Sequence, residues 1–375
     1  MNILVPNLGS TSLKYQLIEF PSENILSNGY LERIGLPGGD AKDHREAITQ
    51  VLQLSDSIHG VGFKAVHGGP KYRGTFRVDD ELLVAIQNYK IAAPLHNEIY
   101  LSALEIFRSL RPELPLVAVF ETSFHRTLPE YASYYGVPQE WVTQFGVRKY
   151  GFHGASHRYV SEQIPKMLEI LSAKLQLVSC HLGGSSSICA IDGGRSVDTS
   201  MGFSPQSGIE NATRHGDLDV FAVLAVMDQL DYSPMAMREQ LLSKGGLAGI
   251  SGIAGGDVRD IERSVSQGDE RARLALETFA YEIRKTIGSY AAAMGGINAL
   301  AFTGGIGENS ASLRATVCHE LEFLGIGLDP VENLYGIGDR VISYEHLPVP
   351  VIVLKTNEEL IVARETQTLL QAKPD

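Results

Sequence analysis

Three glycine-rich segments follow short apolar runs, and each could bring backbone N–H groups close to phosphate oxygens. Residues 7–14 read Asn-Leu-Gly-Ser-Thr-Ser-Leu-Lys, residues 181–187 read His-Leu-Gly-Gly-Ser-Ser-Ser, and residues 303–309 read Thr-Gly-Gly-Ile-Gly-Glu-Asn. The P-loop pattern is absent, and no G-x-G-x-x-G motif opens an early βαβ unit. One such segment is more often a tight turn than a ligand site. Three of them, each after a predicted strand, favour nucleotide binding.

Histidine and arginine occur beside glycine in further segments. His153 and His157 are four residues apart, a spacing that could bind zinc on a helix. The flanking glycines disfavour a helix that begins before His153, and the glutamate of an H-E-x-x-H motif is missing. A hydrogen-bond donor to substrate and a structural histidine remain comparable alternatives. Arg214 lies in a predicted loop, where its guanidinium could bind an anion, although a surface arginine is an equal alternative.

A repeated pattern of elements positions these segments. Strand, glycine-serine turn and strand follow one another over residues 3–20, with Pro6 ending the first apolar run. The same order returns over residues 175–191, about 175 residues later. This repetition predicts an internal duplication.

Helices are clearest in the second half of the chain. Apolar residues recur at spacings of three and four over residues 276–294, which predicts a long helix that ends at Gly295. Residues 299–302 then predict a buried strand that leads into a loop at 303–309. Asp219 predicts the start of a helix over residues 220–230. Strands that alternate with helices indicate an α/β fold with substantial parallel pairing.

Composition excludes several classes of protein. The 375 residues carry 44 acidic and 32 basic side chains, a net charge of −12, with no long basic cluster. This balance argues against nucleic acid or an anionic membrane as the main partner. No run of about 18 apolar residues predicts a membrane span, and no signal peptide precedes residue 7, so we expect a cytoplasmic protein. Cys180, Cys189 and Cys318 are expected to be buried, unpaired residues.

Eight ordered segments resemble the acetate kinase family. They include Phe152-His153-Gly154 and Met201-Gly202-Phe203, and they lie at residues 7–14, 67–69, 124–125, 150–157, 198–203, 213–217, 302–309 and 356–360. The resemblance covers residues 3 to about 366. It implies a duplicated ribonuclease H-like (actin-like ATPase) α/β fold, with two domains and a central cleft. The expected domains are residues 1–122 with 359–375, and residues 123–358 for nucleotide binding and dimerisation in a homodimer.

The resemblance implies reversible, metal-dependent transfer of the ATP γ-phosphoryl group to acetate, giving acetyl phosphate and ADP. The metal would be Mg²⁺ or Mn²⁺. A carboxylate is already anionic at neutral pH, because its pKa is about 4–5, so no general base is required. The site must instead supply positive charge and fixed donors to bring two anions together. Propionate or butyrate as acceptor, pyrophosphate as donor, and a weakly active nucleotide-binding relative remain alternatives.

The resemblance also assigns site residues by matching motifs. The catalytic positions are Glu121, His153 and Arg214. The positions that bind the carboxylate substrate are Lys64, Val66, Leu95, Phe152 and Pro205. The nucleotide-binding positions are Lys14, His181, Gly183, Gly184, Asp257, Arg259, Gly304, Gly305, Ile306, Gly307 and Asn309. The positions linked to the metal are Asn7 and Glu358.

Some residues depart from the family pattern. Lys64 stands where the family has arginine, so the charge is kept but the bidentate guanidinium is lost. Glu121 stands where the family has aspartate, and Gly184 where it usually has asparagine. The segment at residues 251–257 is one residue longer than the family's. The Lys64 and Glu121 changes are either a coupled adaptation or a mark of weakened catalysis.

Overall fold

The structure, a computed structural model, describes residues 1–55, 57–89 and 94–372, without the side chains of residues 94–97. The described chain divides into two compact units. The first comprises Met1–Arg126, Gly154–Ser156 and Asn357–Asp375, and the second comprises Thr127–His153 and His157–Thr356. No described helix is both long enough and apolar enough to cross a membrane.

The elements are numbered in chain order. The strands are β1 (Asn2–Gly9), β2 (Ser12–Glu19), β3 (Ile25–Leu31), β4 (Gly60–Ala65), β5 (Thr75–Arg77), β6 (Leu116–Phe120), β7 (Gln176–His181), β8 (Ser187–Asp192), β9 (Arg195–Thr199), β10 (Ala299–Thr303), β11 (Arg340–Val341) and β12 (Val351–Val353). The helices are α1 (His44–Leu52), α2 (Asp80–Asn88), α3 (Pro94–Leu110), α4 (Glu130–Ser133), α5 (Gln139–Phe145), α6 (Gly154–Met167), α7 (Val220–Leu230), α8 (Pro234–Ser243), α9 (Gly246–Ser251), α10 (Val258–Ser266), α11 (Glu270–Met294), α12 (Gly304–Asn309), α13 (Ala311–Cys318), α14 (Pro330–Tyr335) and α15 (Glu358–Gln371).

The first unit is built on a six-stranded sheet in the order β3-β2-β1-β4-β6-β5. Side chains alternate between its faces, so Leu4 belongs to one apolar cluster while Ile3 and Val5 belong to another. The second cluster includes residues of α15. A Cβ on Gly62 would lie 2.3 Å from Thr366 Oγ1, so the glycine allows α15 to approach β4 closely. The C-terminal helix is therefore part of the first unit's core.

The second unit repeats this architecture. Its sheet has the order β11-β12-β10-β7-β8-β9, with β7 antiparallel to β8 and parallel to β10, as β1 is to β2 and β4. The short edge strands β5 and β11 are likewise both antiparallel to the parallel strand that they flank. The predicted duplication and α/β fold class are confirmed.

Several local predictions are confirmed. The buried face of α11 includes Phe279, Ile283 and Ile287, and the helix ends at Gly295 in the left-handed conformation. Asp219 accepts a hydrogen bond from Phe221 N–H at the start of α7. Within the described residues the three cysteines are buried and form no disulfide with one another.

The end of one strand and the type of one element were predicted wrongly. Strand β1 continues through Pro6 to Gly9, because Pro6 lies in a β1–β2 hairpin whose two strands are separated by only two residues. Residues 303–309 were predicted as a loop, but Gly304 to Asn309 form helix α12. Gly304 N–H donates to Glu308 Oε1 (3.0 Å) and Ile306 N–H donates to Leu182 O (2.8 Å), so these bonds close the glycine-rich chain into a helical turn.

Candidate active site

In the first unit a buried cluster of charges forms where β4 and β6 end. The two strands are parallel neighbours, which places Lys64 beside the segment that carries Glu121. Lys64 Nζ lies 3.3 Å from Glu121 Oε1 and donates a hydrogen bond to Glu358 Oε2, at the start of α15. Glu359, the residue after Glu358, forms an ion pair with Lys14 on β2 (2.7 Å). The structure therefore brings together Lys64, Glu121 and Glu358.

This cluster carries more negative than positive charge. Burial and the charge of Glu358 raise the pKa of Glu121 above its usual range, against the attraction of Lys64. Burial opposes the charge on Lys64, but Glu358 and Glu121 outweigh it and raise the pKa of Lys64. Lysine is thus held as a cation between two carboxyl groups, which together carry one negative charge more than it balances when both are ionised.

The first unit fits a divalent cation. Glu121 Oε2 is buried and makes no hydrogen bond with any residue that the structure describes. Unpaired carboxylate oxygen and surplus negative charge suit a hard cation such as Mg²⁺. Asn7 is exposed near the end of β1, opposite Lys14 in the hairpin register. No group of three or more His, Cys, Asp or Glu side chains in the described residues could hold a metal ion.

In the second unit His153 is held in an unusual conformation. Its φ of 55° is left-handed, a conformation that costs a residue with a side chain on the order of 1 kcal/mol. Helix α6 begins directly after His153, as the prediction that no helix starts before this residue requires. The ring lies 4.3 Å from the ring of His181, between centroids, and its Nδ1 is 2.8 Å from Ser187 Oγ. The backbone therefore directs the imidazole toward the end of β7 and the start of β8.

Arg214 lies in a loop that backbone hydrogen bonds hold in place. Gly245 N–H donates to Thr213 O (3.0 Å), and Leu247 N–H donates to Asn211 O (2.9 Å). Gly246 has a φ of +60°, and a Cβ there would lie 2.2 Å from Asn211 O, so only glycine lets α9 begin this close to the loop. The loop is thus fixed by the first residues of α9.

The charge of Arg214 is not neutralised. Its Nη1 donates to Ser185 Oγ (2.9 Å) and lies 3.4 Å from Pro205 O, and no described carboxylate forms an ion pair with it. Burial lowers the pKa of Arg214, but a guanidinium remains charged at neutral pH. A half-buried cation without a counter-charge is suited to an anionic ligand.

The other predicted carboxylate-binding residues are distributed over both units. Phe152 and Pro205 are buried in the second unit, and Val66 is half-buried directly after β4 in the first. Leu95 lies outside the residues whose side chains the structure describes.

A glycine-lined cavity of about 770 Å³ lies in the second unit. The predicted nucleotide-binding residues that line it are Gly183, Gly184, Asp257, Arg259, Gly305, Ile306 and Asn309. Arg259 hydrogen-bonds Asp257 and lowers the pKa of this exposed carboxyl to about 2. The volume falls in the range of cofactor-sized sites, and the glycines leave room for a ligand to approach the backbone.

Four predicted nucleotide-binding residues do not line this cavity. Gly304 and Gly307 are buried within α12, His181 lies beside His153, and Lys14 pairs with Glu359 in the first unit. The lining residues that sequence reasoning missed are Ala212, Gly255, Gly256, Val258, Glu262 and Ser310. Gly256, Val258 and Ser310 adjoin predicted residues in sequence, and Glu262 lies one turn after Val258 on α10.

Arg314 holds a helix that lines this cavity, and sequence reasoning missed this residue too. Its side chain is only 2% exposed, yet it donates to Gly307 O (2.8 Å), Glu308 O (2.9 Å) and both the side-chain and backbone oxygens of Asn333 (2.8 Å each). Burial lowers the pKa of Arg314 to about 10. The guanidinium thus fixes the end of α12, a wall of the cavity, to α14. An arginine between apolar residues gives no sequence signal of this role.

These features define a class of protein. Two α/β units with the same strand order, a nucleotide-sized cavity and charged residues at the ends of parallel strands are those of an actin-like phosphotransferase. The acetokinase family model matches residues 40–364, and the chain belongs to the acetate kinase family.

Individual relatives agree with this assignment. The acetate kinase of Geobacillus kaustophilus (strain HTA426) is 42% identical over an alignment of 391 positions, which covers 98% of each chain. The propionate kinase of Citrobacter rodentium (strain ICC168) is 42% identical over an alignment of 395 positions, which covers 99% of this chain and 97% of the relative. The crystal structure of Porphyromonas gingivalis acetate kinase matches with a TM-score of 0.88 and 36% identity, and covers 99% of this chain and 100% of that chain. The protein is an ATP-dependent phosphotransferase with a carboxyl group as acceptor, and a divalent cation takes part.

Arg314→Met tests the support beneath the cavity. The change leaves two α12 carbonyls and Asn333 without their donor, so we expect a loss of about 3 kcal/mol in the free energy of unfolding. We also expect the KM for ATP to rise about tenfold, because α12 is held less firmly beside the cavity. A tenfold change corresponds to about 1.4 kcal/mol of binding free energy. Urea unfolding and steady-state kinetics measure the two effects. Arg263→Met, which removes an exposed arginine on α10, is the control; equal behaviour of the two variants would contradict the role of Arg314.

Proposed function

We propose that this protein is an acetate kinase that uses Mg²⁺ and forms acetyl phosphate from ATP and acetate, reversibly. The observation that carries the proposal is the unneutralised guanidinium of Arg214, in the same unit as the nucleotide-sized cavity. Propionate is the second candidate acceptor, because a propionate kinase is as similar to this chain as an acetate kinase is.

Arg214 binds the acceptor carboxylate in this proposal. The carboxylate is already ionised, with a pKa of about 4–5, so the nucleophile needs no base. Its negative charge opposes approach to the phosphoryl group, and the guanidinium offsets that repulsion. Ser185 and the α9 backbone bonds hold the loop, which limits the loss of freedom when the substrates bind.

His153 and His181 contact the phosphate groups in this proposal. A neutral imidazole N–H from His153 stabilises charge on the transferring phosphoryl oxygens, and the neighbouring His181 ring, tilted by 30°, restricts its movement. Cavity residues beside α10 and α12 bind the nucleoside, with Asp257 and Arg259 at the adenosine.

In this proposal Asn7 and Glu358 hold the divalent cation, and Glu121 is a catalytic residue of the first unit. When bound, the cation supplies positive charge to phosphate oxygens. Lys64 keeps Glu121 and Glu358 in place, and its charge is largely taken up by them. We also propose that the two units are the protein's two domains, with α15 completing the N-terminal one.

Acyl phosphate formation tests the proposed reaction. Protein, ATP and Mg²⁺ are incubated with formate, acetate, propionate or butyrate, and hydroxylamine traps the product as a hydroxamate. We expect the highest kcat/KM with acetate and the next highest with propionate. A parallel series replaces ATP with pyrophosphate and should give no product.

Arg214→Gln serves as the matched inactive control, with kcat about 1000-fold lower, because one charged donor to the reacting groups is removed. Bound ATP without product from any acid would contradict the kinase proposal and favour a nucleotide-binding relative. A higher kcat/KM with propionate or butyrate would contradict acetate as the substrate.

Lys64→Arg and Glu121→Asp test whether these residues form an adapted pair. Each single change alters the reach of one partner in a buried ion pair, so we expect about tenfold lower kcat/KM for acetate. The double variant should recover most of this loss, because the shorter acid compensates for the longer base. Steady-state kinetics of all four proteins measures the coupling. A double variant faster than the unaltered enzyme would instead show that the pair weakens catalysis.

We also propose that the protein is a homodimer in which α7 contributes to the interface. No residue of α7 is buried, although the helix is strongly apolar. Its large apolar side chains that are more than half exposed are Val220, Phe221, Leu224 and Leu230. An exposed apolar helix of this kind is typical of a surface covered by a partner.

Leu224→Asp tests this interface. A charge in an apolar contact is costly, so the sedimentation mass should fall from twice 40.8 kDa to 40.8 kDa. Leu171→Asp, at a leucine that is 69% exposed outside α7, should remain dimeric. A dimeric Leu224→Asp variant, or a monomeric unaltered protein, would contradict the proposal.

A further inference from the structure

A buried chain of hydrogen bonds extends inward from His153. His153 Nδ1 lies 2.8 Å from Ser187 Oγ, and the same oxygen lies 2.8 Å from His157 Nε2. His157 Nδ1 lies 2.9 Å from Ser179 Oγ. The side chains of Ser179, Ser187 and His157 are fully buried. One serine hydroxyl therefore joins a half-exposed histidine to a fully buried one.

The strand register explains how the two serines meet one histidine. On the antiparallel pair β7 and β8, Ser187 is opposite His181, and Ser179 is two residues from His181 on the same face. Residues on the other face, such as Cys180 and Ile188, belong to the apolar core of the second unit. The serines thus replace apolar residues on one face only, where His157 of α6 contacts them.

Hydrogen-bond counting leaves two arrangements for neutral rings, because a third, in which Ser187 accepts from both His157 and His153, would leave the buried Ser187 proton without an acceptor among the described residues. Each hydroxyl has one proton, and each neutral imidazole has one N–H and one bare nitrogen. In the first arrangement Ser179 donates to His157 Nδ1, His157 Nε2 donates to Ser187, and Ser187 donates to His153 Nδ1. In the second arrangement every bond is reversed. Only the first leaves the proton of His153 on Nε2.

The buried end of the chain selects the first arrangement. Within the described residues, the Ser179 hydroxyl has no hydrogen-bond partner besides His157 Nδ1. In the second arrangement Ser179 would accept from His157 and its own proton would be buried without an acceptor, which is unfavourable. A protonated His157 would still leave Ser187 to donate to His153, so it gives the same result.

We propose that Ser179, His157 and Ser187 are positioning residues that fix His153 as the Nε2–H tautomer. The hydrogen bond made by one ring nitrogen determines the state of the other. The chain thereby presents His153 as a donor rather than an acceptor. The value of that donor for catalysis rests on the proposed function, in which His153 contacts the transferring phosphoryl group; the tautomer itself does not.

NMR of the full-length protein labelled with ¹⁵N-histidine tests the tautomer directly. Spectra are recorded well above the usual histidine pKa of about 6.5, so that exposed rings are neutral. His153→Gln identifies the His153 signals by their loss. We expect the protonated-nitrogen shift at Nε2 and the unprotonated shift at Nδ1. The reverse pattern would overturn the proposal whether or not the protein is a kinase.

Variants of the chain test its effect on the reaction. Ser187→Ala should shift His153 toward a mixture of tautomers and lower kcat about tenfold, as loss of a partner that orients a functional histidine does, with KM for ATP and acetate within about twofold. Ser179→Ala removes the selecting proton and should also mix the tautomers, with a smaller loss of kcat. Ser161→Ala removes a buried serine of α6 whose hydroxyl donates to the backbone oxygen of Arg158, and should change neither quantity.

The outcomes separate this inference from the proposed function. Unchanged tautomer and kcat in Ser187→Ala would overturn the positioning role. The expected tautomers with no phosphoryl transfer by any of the proteins would retain the hydrogen-bond chain and contradict the kinase proposal. A variant that unfolds is recognised by its spectrum, and the unaltered protein's tautomer then still decides the assignment.

Discussion

Repulsion between two anions is the physical constraint on this site. A carboxylate and a phosphoryl group approach each other only where the protein supplies positive charge without pairing it to its own acids. In a chain with a net charge of −12, such a cation must be kept apart from the many carboxylates. Arg214 meets this requirement because its loop is fixed by backbone bonds from the start of α9, and its guanidinium contacts a hydroxyl and a carbonyl rather than an acid.

The two units differ in how they balance charge. In the first unit, Lys64 lies between Glu121 and Glu358, whose two carboxyl groups exceed its charge by one when both are ionised, an arrangement suited to a divalent cation. In the second, Arg214 leaves a positive charge in excess, an arrangement suited to anions. The two copies of the sheet therefore carry opposite chemistry, because Lys64 lies on β4 and Glu121 follows β6 in the first, whereas Arg214 lies in a loop between β9 and α7 in the second.

A buried polar group is costly unless it is hydrogen-bonded, and this requirement shapes the second unit at Arg314 and Ser179. Arg314 is nearly inaccessible and is satisfied by carbonyl and amide oxygens, so its burial fixes α12. Among the described residues Ser179 has one partner for its proton, so its burial selects the direction of the bonds that reach His153. In both cases the need to satisfy a buried donor determines the geometry of a group that faces the ligand.

The sequence alone determined features that act over a few residues. Apolar spacing defined α11, the left-handed Gly295 ended it, and Asp219 began α7, because helix periodicity and capping depend on near neighbours. The repeated strand-turn-strand order likewise revealed the duplication, and the ordered motifs the family. Only the tertiary structure closed residues 304–309 into a helix, buried Arg314 beneath it, and joined Lys64 to Glu358, 294 positions away in sequence. Those contacts depend on which residues the sheets and helices bring together, since a hydrogen bond acts over about 3 Å of space and carries no signal along the chain.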